Sequence, residues 1–174
     1  DPLRTKTPEL LAAFGRAIDE LGGRYVTAED VGMTDADMVA IARTTRHVSG
    51  LPVAAGSAGG DPGPTTSKGV YLGVRAAIAR VLGQSDAAGV HVAIQGVGSV
   101  GGGLARLLAQ DGAKLTLADA DPKRARALAA ELGATAVAAS EIMTVEADVL
   151  SPCALGAILD ERSIEALQVS VVAG

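Results

Sequence analysis

Three glycines and one aspartate have the spacing to hold a dinucleotide. Gly96, Gly98 and Gly101 stand at G-x-G-x-x-G within GVGSVG, and Asp119 follows 23 residues after Gly96. In a turn from strand to helix the first glycine makes the bend, the second lets backbone approach a pyrophosphate, and the third lets helix and strand pack closely. The pyrophosphate then lies on the helix N-terminus, met by backbone N–H groups and the positive end of the helix dipole. A carboxylate at the tip of the next strand accepts the adenosine ribose hydroxyls and repels a 2′-phosphate. Gly96, Val97, Gly98, Ser99, Val100, Gly101 and Asp119 are therefore the candidate cofactor contacts, and NAD is the expected cofactor. Lys123 and Arg124 follow Asp119 closely, which makes NADP the nearer rival.

A glycine pattern alone is a weak signal in a chain with 22 glycines among 174 residues, so the flanking elements decide. HVAIQ, residues 91–95, is a short apolar strand stopped by Gly96; Leu104, Leu107 and Leu108 recur at helical spacing; KLTLAD, residues 114–119, is a second strand. The bland alternative is a strand-to-helix turn with no ligand. The alternation then continues. Asp121 and Pro122 cap a helix through Leu132 that Gly133 ends, and strands are predicted at 134–138, 145–150 and 169–173. Between the last two, SPCALGAI turns into a helical stretch through about Leu167. The expected fold is α/β: a doubly wound Rossmann-type parallel sheet, one strand short of six at its C-terminal side.

Upstream, Thr7 and Pro8 start an amphipathic helix whose stripe is Leu10, Leu11, Phe14, Ile18 and Leu21, ending at Gly22 and Gly23. A strand candidate, 24–27, and a polar turn, 28–32, lead to a capping box at Thr34 and Asp37 and a second helix to about Arg46. Residues 47–64 hold five glycines and three prolines; the expectation is an ordered loop near the ligand, with disorder as the alternative. A strongly periodic helix follows, with Val70, Val74, Ala77, Ile78 and Val81 on one face and Gly83 at its end. The first 30 residues carry too little apolar surface for a domain. The predicted division is a remnant of a substrate domain, 1–32, before a dinucleotide-binding domain, 33–174.

Hydrophobic residues make up 48% and aromatics 2%, so the core is built from Ala, Val, Leu and Ile. Net charge is −5 with both signs interspersed, which argues against a nucleic-acid or anionic-membrane partner. One cysteine, Cys153, excludes an intrachain disulfide framework; with no run of 18 apolar residues and no basic-then-apolar leader, a soluble, cytoplasmic protein is expected. Cys153 has no base nearby in sequence and reads as a small buried residue, and His47 and His91 lack ligand spacing, so no metal is assigned. On residue type alone, Asp30 is a turn-forming acid and Thr66, with Thr65, a helix-capping residue.

At GGRYVTAEDVG (22–32), DPGPTTSKGVYLGVRAA (61–77), VAIQGVGSVG (92–101) and SPCALGAILD (151–160) the chain resembles the Glu/Leu/Phe/Val dehydrogenase family, most closely its leucine branch. The four motifs occur in the family's order. The resemblance implies NAD-dependent oxidative deamination of an L-amino acid, with a branched-chain aliphatic substrate suggested, in a two-domain, homo-oligomeric parent whose active site lies in a cleft. It further implies that Asp30 shares in proton transfer, that Thr66 binds the nicotinamide carboxamide, and that the backbone of Cys153 and Ala154 lines the cofactor cleft. Met33 departs from the family's usual threonine, and the loop AAGSAGGDPGP is one residue longer than usual. None of Lys6, Lys68, Lys114 and Lys123 aligns with the family's catalytic lysine, whose GGGK-type segment would lie upstream, just as a GANNQL-type segment would follow VVAG. The 174 residues alone are therefore expected to show no significant turnover. A competing reading is a regulatory module that senses NAD or a related adenosine ligand without chemistry; it needs no Asp30. Short-chain reductases fit poorly, since neither Tyr25 nor Tyr71 begins a Tyr-x-x-x-Lys.

Overall fold

A computed structural model describes residues 5–52 and 59–174. The expectation of an ordered or disordered loop therefore falls, for residues 53–58, outside the described residues. The chain divides into two compact units, Asp1–Pro62 and Gly63–Gly174. That boundary lies 30 residues beyond the expected one, because the second helix shares a core with the first: Met38 and Ile41 are fully buried beside Leu11.

In the first unit, α1 (Pro8–Glu20) begins at Thr7, whose Oγ1 accepts the Leu10 N–H at 3.2 Å, with Pro8 at the first helical position. Helix α2 (Asp35–Ala42) begins at the Thr34–Asp37 capping box, and Lys6 Nζ ties that box to the preceding turn through Asp37 Oδ2 at 2.5 Å and the Gly32 carbonyl at 2.7 Å. It stops short of the expected Arg46. Thr44 and Thr45 explain why: their hydroxyls donate to the Ile41 carbonyl and to Asp19 Oδ1, competing with continued helix. The strand expected at 24–27 reduces to one parallel bridge, Thr27 with Val48.

The second unit runs α3 (Gly63–Leu82), β1 (His91–Gln95), α4 (Ser99–Gln110), β2 (Lys114–Ala118), α5 (Pro122–Leu132), β3 (Thr135–Ala136), a 3-10 turn (Ile142–Thr144), β4 (Val149–Pro152), α6 (Glu161–Ala166) and β5 (Val171–Val172). The strands form one parallel sheet in the order β3-β2-β1-β4-β5. This is the expected doubly wound order. Central β1 is covered on both faces, as the period of two requires. Val92 and Ile94 join Val74 and Ile78 of α3, Leu104 and Leu108 of α4, and Leu128 of α5; Ala93 points the other way, to Ile142 and Leu150.

Two segments differ from expectation. The strand predicted from Val145 starts at Val149, since the 3-10 turn uses the preceding residues to bring Ile142 under the sheet. The helical stretch expected after SPCALGAI ends where expected but is short: Ser151 and Pro152 complete β4, Ala157 adopts a left-handed φ of 63°, and α6 begins only at the Asp160–Ser163 capping box.

Candidate dinucleotide site

The ends of β1, β2 and β4 converge where the strand order reverses, the place at which open α/β sheets bind ligands. Gly96 bends the chain with φ +85°, a conformation that L side chains rarely adopt, and donates its N–H to the Ala118 carbonyl at 2.7 Å. A Cβ on Gly96 would sit 2.8 Å from the Ala154 Cβ. One on Gly101 would overlap the Gly96 carbonyl oxygen and lie 2.9 Å from the Cys153 Cβ. The Cys153 N–H in turn donates to the Gln95 carbonyl at 2.7 Å. Gly96, Gly101, Cys153 and Ala154 thus form one knot at the switch point.

Gly98 is different. Its φ is −71°, and among the described residues no atom beyond its chain neighbours lies within 4 Å of where its Cβ would be. Helix α4, which it precedes, has no side-chain cap, whereas α1, α2, α5 and α6 are capped by Thr7, Thr34, Asp121 and Asp160. The start of α4 thus has the positive end of the helix dipole behind a glycine that brings no side chain of its own, which suits an anion. Val97 is buried and Val100 half-buried, anchoring the turn from below. These residues fit a pyrophosphate.

Asp119 does more than the sequence suggests. Its Oδ2 accepts the Val97 N–H at 2.9 Å and its Oδ1 the Asp121 N–H at 2.9 Å, so one carboxylate fastens the glycine turn to the turn before α5. The Arg124 guanidinium stands 3.6 Å from Oδ1. Nothing in sequence spacing announces this clamp. At the end of β1, Gln95 Oε1 is buried without a hydrogen-bond partner.

Thr66 is the fourth residue of α3 and exposed, and its neighbour Ser67 is buried against α4, where a Cβ on Gly103 would lie 2.7 Å from the Ser67 Cβ. The Cys153 thiol lies 3.5 Å from Ser151 Oγ; burial pushes its pKa up, opposite to what a nucleophile needs. His91 Nε2 pairs with Thr116 Oγ1 at 2.8 Å. Among the described residues no group of three or more His, Cys, Asp or Glu is arranged to hold a metal ion, and no helix is long and apolar enough to cross a membrane.

Asp30 belongs to the first unit. It is exposed, its Oδ1 accepts the Val31 N–H at 2.7 Å and its carbonyl the Met33 N–H at 3.0 Å. It borders a cleft of about 420 Å³ whose walls include Leu10, Phe14, Tyr25, Met33, Met38 and Ile41. The sequence did not single out this cleft, although the stripe on α1 held the signal: Leu10 and Phe14 belong to it yet remain exposed. Beside Asp30, desolvation and then repulsion from Asp35 push the Glu29 carboxyl up. A carboxylate at the rim of an apolar cleft can exchange a proton with a small amphiphilic molecule held there.

Glycine turn, helix start and strand-tip carboxylate are arranged as in the α/β folds that bind dinucleotides. Residues 91–153 match the family described as NADP oxidoreductase coenzyme F420-dependent. The chain is 44% identical over 174 residues to leucine dehydrogenase from Thermoactinomyces intermedius, covering 100% of this chain and 47% of that protein. The crystal structure of L-tryptophan dehydrogenase from Nostoc punctiforme superimposes with a TM-score of 0.73 at 38% identity, over 98% of this chain and 47% of that one. The hetero-hexameric glutamate dehydrogenase from Thermus thermophilus, in its Leu-bound form, shares the fold with a TM-score of 0.75 at 23% identity, over 99% of this chain and 48% of that one. The chain is a homologue of the amino-acid dehydrogenases over its whole length, as its motifs indicated. It spans about half the length of the curated relatives it matches.

Proposed function

We propose that the chain is the cofactor-binding part of an NAD-dependent L-amino acid dehydrogenase, a cytoplasmic homo-oligomer that oxidatively deaminates a branched-chain aliphatic amino acid to a 2-oxo acid and ammonia. The observation that carries this reading is the open Cβ position of Gly98 at the start of α4, between the tightly packed Gly96 and Gly101, in a chain whose relatives are amino-acid dehydrogenases. NAD, when bound, accepts hydride from the substrate Cα. The N–H groups at the start of α4 hold its pyrophosphate, Asp119 meets the adenosine ribose, the backbone at Cys153 and Ala154 borders the dinucleotide, and Thr66 orients the carboxamide. Asp30 moves a proton during formation and hydrolysis of the imine. Residues 1–32, which share one compact unit with α2, extend the substrate-binding part, and the 174 residues alone do not turn over.

The test is titration of the chain with NADH, followed by the nucleotide's own fluorescence; the chain has no tryptophan to confuse excitation. Saturable binding is expected, and its absence overturns the dinucleotide reading. In a protein spanning the relatives' full length, Asp30→Asn should lower kcat by about 100-fold or more with NADH affinity unchanged. Unchanged amino-acid oxidation would remove Asp30 from the chemistry.

A further inference from the structure

Gly103 is a glycine that the dinucleotide pattern does not call for. It lies in the second turn of α4, two residues beyond Gly101, where glycine weakens a helix relative to alanine. Its neighbour on α3 supplies the reason. A Cβ on Gly103 would stand 2.5 Å from Ser67 Oγ and 2.7 Å from Ser67 Cβ, about 1 Å inside ordinary contact. Ser67 is buried, and its hydroxyl turns back to donate to the Gly63 carbonyl at 2.8 Å and the Pro64 carbonyl at 3.1 Å. One serine therefore closes the first turn of α3 and seats that turn on α4.

Topology puts this seat beside the candidate site. Helix α3 leads into the start of β1 and α4 leaves its end, so both run against the strands and begin where the glycine turn lies. The contacts agree: Ser67 meets Gly103 in the second turn of each helix, and the Tyr71 hydroxyl donates to Asp111 Oδ2 at 2.7 Å, at the far end of α4. Helix α4 is fixed on β1 by Gly101 against the Gly96 carbonyl and by buried Leu104. A side chain at position 103 would therefore displace α3, and Thr66, the exposed residue before Ser67, would move with it.

We propose that Ser67 and Gly103 are positioning residues, whose close contact sets the distance from Thr66 to the glycine turn and so fixes the nicotinamide end of the site. The inference rests on the reading of Thr66 as a carboxamide contact. It is tested by titrating the chain with NADH, and with ADP-ribose, which is the dinucleotide without its nicotinamide, by calorimetry. Wild type should bind NADH at least about fivefold more tightly than ADP-ribose. Gly103→Ala should weaken NADH by about fivefold and ADP-ribose by less than about twofold, and retained ADP-ribose binding shows that it is folded. Adding Thr66→Ala to Gly103→Ala should weaken NADH no further, because the glycine acts through the threonine. Ser67→Gly loosens the same seat without a clash; it should weaken NADH alone by about threefold, and it decides the matter where Gly103→Ala does not fold. Ser67→Gly combined with Gly103→Ala moves the small residue to the other helix and should bring NADH affinity to within about twofold of wild type. Wild type that binds NADH and ADP-ribose equally overturns the inference and leaves the glycine turn as read. So do seat variants that weaken both ligands alike or neither, additive losses with Thr66→Ala, or a combined variant no better than its parents. Wild type that binds neither ligand overturns the dinucleotide reading itself, and this inference with it.

Discussion

Two alanine substitutions five residues or less apart in the glycine turn should fail in different ways. At Gly101 a methyl group would run into the Gly96 carbonyl oxygen and stand 2.9 Å from the Cys153 Cβ. Neither neighbour is the far end of a flexible side chain, so relief requires α4 to move off β1. Overpacking a tight core costs about 1–3 kcal/mol, and a clash with backbone belongs at the upper end, near 3 kcal/mol. For a chain of this size that lowers Tm by about 6–12 °C. Gly101→Ala should therefore lose stability and NADH binding together. At Gly98 the same methyl meets no atom of the described residues within 4 Å beyond its chain neighbours, and the change amounts to a poorer N-cap, about 0.5–1 kcal/mol. Yet the methyl enters the space through which backbone approaches the pyrophosphate, so NADH affinity should fall by about thirtyfold, close to 2 kcal/mol. Urea and thermal unfolding report the first quantity and NADH fluorescence titration the second. Gly98→Ala that binds NADH as wild type does would refute the cradle. Gly101→Ala that unfolds like wild type would refute the packing argument.

Leu104→Ala should cost about 3 kcal/mol in urea unfolding, because Leu104 is fully buried in the cluster that holds Ile94 of β1. Asp119→Ala strands the Val97 N–H and frees the Asp121 N–H to water, and should cost about 1–3 kcal/mol as well as weakening NADH, whereas a residue that only touched ribose would leave stability unchanged. Two acids of the first unit should show opposite pH signs. Hydrogen bonds from Lys6, then Thr34, hold Asp37 below its ordinary 3.8, so its stabilising contribution is full above that value and is lost as pH falls through the lower folded value; the deficit of Asp37→Asn should shrink there. Glu29 is held above 4.5, so its contribution is full below 4.5 and lost as pH rises through the folded value; Glu29→Gln should raise neutral-pH stability relative to wild type and lose that advantage in acid.

Local requirements were legible in the sequence, and long-range ones were not. Thr7, Thr34 and Asp121 bond backbone within three residues of themselves, so their helix starts could be read directly. The end of α2 depends on Thr45 reaching Asp19, 26 residues away, and no periodicity contains that contact. Element boundaries within residues 145–160 are not legible in the pattern, because short apolar runs serve strand, 3-10 turn and loop alike. The clamp at Asp119 likewise exists only once β1 and β2 lie side by side.

The glycine pattern was legible for mixed reasons, and separating them decides what it proves. Gly96 is required by its φ and by Ala154, and Gly101 by the Gly96 carbonyl; the fold alone accounts for both. Gly98 has a negative φ and an open Cβ position, so no steric demand of the described protein calls for glycine there. The first and third glycines are evidence for a tightly packed strand–helix turn, with or without a ligand. Only the second points outward, to something that must come close to the backbone, and the absence of a side-chain cap on α4 points the same way. The functional content of G-x-G-x-x-G in this chain therefore resides in its middle glycine, and Gly98→Ala separates a binding turn from a merely structural one.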